Sequence, residues 1–309
     1  MDVIIHADDF GITPEQSRTI LACAREGMLN STSVIVASPA FEECARLLAE
    51  APEGFRVALH LNLVEGRASA DPAQIPLLVG EDGMFNRSFV DLFRMSMSGR
   101  ADELARQVAI ETSAQIERLA SAVPGFREHL RVDGHQHFQL IPAVFRGMMD
   151  AIERSGGTLE YLRVPAEPLG PFLPPRVFFG ISPINWIKHM ILNWCWRRDR
   201  RLLPNYTQVS ALFCGVLFSG QMSAERVLAT FPSYVERARR AGMDVEFLFH
   251  PGGVADPSEC LNPQLEGFVA FYQSEGRAIE KSALMQLSLE GQGTDAPRIV
   301  RASGEADHE

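Results

Sequence analysis

The chain has 309 residues, 46% of them hydrophobic and 22% charged, a composition typical of a soluble globular protein with enough length to bury a sizeable core. A formal net charge of -10 argues against non-specific nucleic-acid binding, which needs basic residues to neutralise phosphates. Five scattered cysteines (Cys23, Cys44, Cys195, Cys214, Cys260) match neither a disulfide framework nor a CxxC metal knuckle, so reduced thiols are expected.

In chain order, short runs rich in Val, Ile, Leu and Phe predict strands at 3–6, 33–37, 56–61, 130–133, 159–164, 211–217 and 245–250. Helical patterns fall between and after them, at 14–26, 41–51, 101–122, 143–154, 224–240 and 263–275. Thr13 before Pro14 supplies a hydroxyl cap followed by a proline suited to the first helical turn. This alternation predicts an α/β fold, a distorted TIM-like (β/α) barrel of about seven parallel strands. Residues 1–289 read as a single catalytic domain with loop-rich insertions near 66–100 and 165–204, and the polar, Gly-containing tail 290–309 as disordered. The N-terminus carries no basic segment leading into an apolar run, and no stretch of about 18 apolar residues occurs. A cytoplasmic protein is the expectation.

Four polar clusters stand at the ends of apolar runs: Asp8-Asp9 before Phe10-Gly11, His60 with Asn62, Asp133-Gly134-His135-Gln136-His137, and His250-Pro251-Gly252-Gly253. In a parallel barrel the carboxyl ends of the strands converge on one face, so residues far apart in sequence can meet there. Singly, each cluster has a plain explanation. Paired acids cap helices and fill turns, and a lone strand histidine is usually a satisfied core residue. His135 and His137 share one face if their strand continues, and two buried imidazoles are costly without a metal or a partner. Taken together, the clusters predict a metal-dependent hydrolase whose centre is built around Asp8, Asp9, His60 and His135. Imidazole nitrogen with carboxylate oxygen suits one divalent ion, zinc or magnesium, and three protein ligands leave open positions for catalysis. A second carboxylate beside the ligands can serve as general base, and a histidine opposite can protonate a leaving group. No GxSxG elbow, GxxxxGK[ST] loop or HExxH helix competes with this reading.

With Gly27-Met-Leu-Asn-Ser-Thr-Ser and Ala58-Leu-His-Leu-Asn-Leu, these clusters resemble the motifs of the YdjC/ChbG family of carbohydrate deacetylases, in the same order, from residue 7 to 253. The resemblance implies metal-dependent removal of N-acetyl groups from amino sugars. It implies that Asp8 is the general base, that Asp9, His60 and His135 are the metal ligands, and that His250 is the general acid. His137 would lie behind the ligands or touch substrate. Members commonly have Ser where this chain has Gly134. Further pieces, including Val64-Glu65-Gly66-Arg67, Arg163-Val-Pro-Ala-Glu-Pro and Gly215-Val-Leu-Phe-Ser-Gly-Gln-Met, are similar to the hopanoid-biosynthesis-associated HpnK branch. That branch implies an N-acetylglucosaminyl substrate linked to a hopanoid lipid.

All three tryptophans lie between 184 and 196, where Ile187, Met190, Ile191 and Trp194 recur at helical spacing, and Arg197, Arg198, Arg200 and Arg201 follow. Such a segment packs as a lid on its own core, or faces a lipid or a membrane interface. Under the second reading Trp186 and Trp194 become candidate substrate contacts, and a peripheral membrane contact is expected. A phosphoesterase, a sugar isomerase and a non-catalytic sugar- or lipid-binding barrel are the rival readings. The first lacks basic residues near the clusters to hold phosphate, and the last leaves the paired acids unexplained.

Overall fold

The β-prone runs assemble into one seven-stranded parallel sheet in this computed structural model, which describes residues 1–291 and 297–302. The strands are β1 (Val3–Phe10), β2 (Ser31–Val34), β3 (Arg56–Leu61), β4 (His129–Gly134), β5 (Thr158–Leu162), β6 (Ala211–Cys214) and β7 (Asp244–Phe249). Their order is β5-β4-β3-β2-β1-β7-β6. Helices between the strands cover the outer face. Among the described residues β5 and β6 are the two edges and do not pair with each other. Tyr161 of β5 nevertheless donates its hydroxyl proton to Glu246 of β7, almost the full width of the sheet away. Only a sheet curled on itself allows that, so the fold is a distorted TIM-like barrel left open at one seam.

The interior of the curl is polar. Ser31 lies 2.9 Å from His6 Nδ1, and Ser33 touches both Asp8 and His60. These contacts explain why β2 starts two residues before the expected strand at 33–37. Its Ser-Thr-Ser run is the inward-facing strand, and the Ile35–Ala37 run that suggested a strand lies beyond it.

Strand β1 runs four residues further than expected, through the Asp8-Asp9 pair. Its pairing with β2 skips from Ala7↔Thr32 to Phe10↔Val34. At the skip Asp9 takes a left-handed φ of 71°. Successive strand residues normally point to opposite faces. A bulge re-aims one of them, so neighbouring acids can serve one site.

Two expectations are corrected. The helix at 263–275 is in fact two helices, Glu266–Tyr272 and Glu275–Gln286. The second was hidden because its buried face includes Arg277 and Glu280 beside Ala283 and Leu284, which breaks the apolar periodicity. The tail is also not wholly without structure, since Leu287–Glu290 pairs antiparallel with Arg298–Arg301. The rest of the expected tail, 292–296 and 303–309, lies outside the described residues. The insertion at 66–100 contains an unexpected helix, Phe89–Ser96, started by a capping box between Ser88 and Asp91.

Glu167 fastens the second insertion to the end of β6. Its buried carboxylate accepts the backbone N–H groups of Gly215, Val216 and Leu217, at 2.5 to 2.9 Å. Burial outweighs those three donors and pushes its pKa up from 4.5 to about 7. The folded state therefore holds this proton more tightly than the unfolded chain does. The resulting stability is complete below pH 4.5 and is lost as pH rises to about 7. In urea unfolding, wild type should lose up to about 3 kcal/mol relative to Glu167→Gln across that window. Parallel pH profiles for the two proteins would contradict it.

Candidate metal centre

Three side chains from different parts of the chain point electron pairs at one spot. Asp9 stands on the β1 bulge, His60 near the end of β3, and His135 just past β4. Asp9 Oδ1 lies 3.2 Å from His135 Nδ1 and 3.6 Å from His60 Nε2, and the two nitrogens are 3.2 Å apart. All three side chains are buried.

Their partners determine which atoms face inward. His60 Nδ1 is 2.6 Å from Asp133 Oδ1 and donates to it, so Nε2 presents its lone pair. His135 Nε2 is 2.7 Å from Glu65 Oε1 and donates there, so Nδ1 presents its lone pair. Tyr272 donates to the same Glu65 oxygen. Arg277 donates to Asp9 Oδ2 at 2.7 Å, leaving Oδ1 buried with no hydrogen-bond partner. Three acceptors thus converge with no donor among them. A cation answers that arrangement. A tetrahedral ion with bonds of about 2.1 Å holds its donor atoms about 3.4 Å apart, which these separations bracket. The donor set fits one divalent ion. Carboxylates behind ligand histidines are the usual means of fixing tautomer and raising basicity.

The local field favours positive charge at this spot, and a bound cation would take the place of the second ring protons that the field otherwise draws onto the imidazoles. Burial disfavours charge on both imidazoles, yet Asp8 and Asp133 carry His60 up to about 10, and Asp9 and Glu65 carry His135 up to about 9. Burial likewise opposes ionisation of Asp9, and Arg277 overrides it, holding the acid well below its usual range.

Asp8 lies beside this triangle. Its nearest cation is Arg163, whose NH1 donates to Oδ1 at 2.8 Å and Oδ2 at 3.0 Å. The same guanidinium meets Asp133 at 3.1 Å and donates to Glu246 at 2.6 and 2.9 Å. Against the cost of burial, Arg163 and then His60 keep Asp8 ionised. A second group of possible ligands, His6, Asp8 and Asp133, shares these carboxylates. There Arg163 already supplies the positive charge, so the group does not make a cation site.

His250 follows β7 and faces Asp8, its Nε2 lying 3.9 Å from Oδ2. Glu280 accepts the His250 backbone N–H and lies 3.2 Å from the ring Nδ1. The ring is therefore held with Nε2 toward the centre.

The structure thus brings Asp8, Asp9, His60, His135 and His250 together. His137 is close by, but not as expected. β4 stops at Gly134, and Gln136 and His137 take left-handed φ values of 51° and 62°, so the two histidines do not share a strand face. The half-buried His137 packs edge-on to Phe213, and its Nδ1 has no partner. Burial, with Arg163 adding to it, pushes its pKa down to about 3 and keeps it neutral. Trp186 and Trp194 are not in the cluster. They sit on the helix Pro183–Asp199, packed on Phe178 and Phe93.

Glu65, Asp133, Arg163, Arg277 and Glu280 received no role in the sequence reading. Glu65 had a visible cue in Asn62, whose side chain accepts the N–H groups of Val64 and Glu65 and donates to the Glu65 carbonyl, shaping the turn that presents it. Arg277 and Glu280 had none, because their helix was not foreseen. Replacing Glu65 by Gln should weaken divalent-ion binding roughly 10- to 100-fold in calorimetric titration without unfolding the protein. Unchanged affinity would remove Glu65 from the set that orients His135.

Comparison with known proteins identifies relatives of this chain. The chain is 27% identical over 261 residues to a carbohydrate deacetylase of Mus musculus, covering 81% of this chain and 77% of that one. It is 34% identical over 122 residues to a carbohydrate deacetylase of Listeria monocytogenes serotype 4b (strain CLIP80459), covering 40% of this chain and 47% of the other. The fold matches the crystal structure of a candidate cellobiose-phosphate cleavage protein from Enterococcus faecalis V583 with a TM-score of 0.61 at 18% identity, over 92% of this chain and 90% of that one. The model of the YdjC-like protein family matches residues 2–290, and the chain belongs to that family.

Proposed function

We propose that this protein is a metal-dependent carbohydrate deacetylase that hydrolyses the acetamide of an N-acetylglucosaminyl group carried on a hopanoid lipid. The observation that carries the hydrolase reading is the convergence of Asp9 Oδ1, His60 Nε2 and His135 Nδ1, flanked by an ionised carboxylate and an oriented imidazole. Relatives named as carbohydrate deacetylases support the reaction class. The lipid-linked substrate draws support from the motifs similar to the HpnK branch and from apolar side chains exposed on the 165–204 insertion. Such a substrate would bring the protein into peripheral contact with a membrane.

Asp9, His60 and His135 would hold the ion. When bound, a zinc or magnesium ion supplies Lewis-acid polarisation of the acetyl carbonyl and makes water a better acid. Asp8 takes the proton of the attacking water. Because Arg163 restrains its basicity, Asp8 suits only a water that is already acidified. Arg163 also fixes the direction in which Asp8 presents its oxygens. The water oxygen bonds to the acetyl carbon. His250, its Nδ1 held by Glu280, gives a proton from Nε2 to the sugar nitrogen as the C–N bond breaks, leaving acetate and a free amine. Neutral His137 has an unpartnered nitrogen to offer a sugar hydroxyl. Trp186 and Trp194 are proposed to meet the aglycone.

Two substitutions separate these roles. Asp8→Asn should keep its metal and lose about 10²- to 10⁴-fold in turnover, the usual contribution of a general base. Loss of metal in that variant would count against the base role. His135→Ala should lose metal by elemental analysis, and full stoichiometry would sink its ligand role. Acetate release should be seen with an N-acetylglucosaminyl lipid. Release from soluble N-acetylglucosamine oligomers alone would overturn the lipid assignment and keep the deacetylase, and binding without any release would leave a non-catalytic barrel.

A further inference from the structure

The helix Pro183–Asp199 exposes apolar side chains while burying two polar ones. It buries Asn185 and His189 along with Leu192 and Cys195. Asn185 donates to the Leu217 carbonyl, and His189 Nε2 to that of Glu167, so the polar residues are spent inside. Ile184, Ile187, Met190 and Trp194 form the outward stripe, 45 to 61% exposed. The adjoining short helix ends at Phe178 and is followed by Phe179, which is 85% exposed. Phe178 packs on Trp186, and Trp194 on Phe93, so the apolar surface runs unbroken from one segment to the next. Scattered exposed apolar residues are ordinary, but a contiguous surface of this kind marks an interaction site.

Charge identifies what meets it. Segment 165–204 carries six basic residues (Arg176, Lys188, Arg197, Arg198, Arg200, Arg201) and two acidic ones (Glu167, Asp199), a net of +4 within a chain of net -10. Positive charge is thus concentrated where apolar side chains are exposed. We infer that this face is a docking surface for an anionic lipid bilayer, with the Ile184–Trp194 stripe entering the headgroup region and the arginines contacting lipid phosphates. Apolar side chains with a basic flank are how interfacial helices bind. A second copy of this chain is a poorer occupant, because a symmetric contact would press two like-charged faces together. No helix among the described residues is long and apolar enough to cross a membrane, so the contact is peripheral.

The helix that carries the docking face also reaches back toward the metal centre. It packs on the His135–Leu140 turn. The inference extends the lipid-linked reading, but vesicles without any sugar test it separately.

The test is co-sedimentation of the whole protein with vesicles of phosphatidylcholine alone and with 30% phosphatidylglycerol. Binding should require the anionic lipid and fall steeply with salt. Ile187→Glu with Met190→Glu, and separately Arg197→Glu with Arg201→Glu, should each weaken it by at least about tenfold. All four residues are exposed and outside the proposed machinery, so acetate release from a soluble substrate should be unchanged. Failure of wild type to bind anionic vesicles would overturn the inference. So would binding undiminished in both variants, or a concentration-dependent dimer that the Ile187→Glu, Met190→Glu variant abolishes. Any of these could occur with acetate release intact, which separates failure of this surface from failure of the catalytic reading.

Discussion

The guanidinium of Arg163 is the interaction on which the rest of the barrel interior depends. It is fully buried and meets Asp8, Asp133 and Glu246, three carboxylates from three strands, while Tyr161 adds a hydrogen bond to the last. Taking that cation away would leave three acids facing one another without water. Breaking a buried charge pair from one side typically costs about 3–5 kcal/mol. The same contacts join the two working halves of the centre. Asp133 orients His60, a proposed ligand, and Asp8 is the proposed base. Arg163 therefore couples the position of His60 to that of Asp8, and, lying over Phe213 of β6, it also spans the seam where β5 and β6 do not pair.

Local backbone strain then does what regular strands cannot. Asp9, Gln136 and His137 are the non-glycine residues with positive φ among the described residues; the first lies in the site and the other two directly follow His135. Left-handed backbone is least costly for residues such as Asp and His, yet still costs about 1–3 kcal/mol when imposed. At Asp9 it turns a second acid toward the cluster. At 136–137 it ends the strand and sets His135 against Glu65. The helix Glu275–Gln286 closes the arrangement from the far end of the chain. Arg277 and Glu280 lie one turn apart, one holding Asp9 and the other His250, so a single rigid element aligns a proposed ligand with the proposed acid.

Much of this was legible from sequence. Strand β3 lies where its apolar run predicted, and the polar clusters do gather at the strand ends. The parallel α/β barrel followed from the alternation of elements. The parts that were not legible share a cause. A barrel filled with charge places Ser31, Ser33, Arg163 and Glu246 where a reader of hydrophobic periodicity expects Val and Leu. That displaced β2 and left Arg163 without a role. The helix carrying Arg277 and Glu280 was missed for the same reason. His135 and His137 looked like alternate residues of one strand, because a left-handed turn leaves no clear mark when Gln and His occupy it. The Trp-rich helix admitted either face, and its direction came only from Asn185 and His189 being buried in preference to Ile187 and Met190.

Locating the ion tests the account most directly. Crystals soaked in zinc and measured at the zinc absorption edge should show one anomalous peak within bonding distance of Asp9 Oδ1, His60 Nε2 and His135 Nδ1, with Arg163 still bridging Asp8 and Asp133. A peak among His6, Asp8 and Asp133 with Arg163 displaced, or no ordered zinc at the triangle, would contradict it.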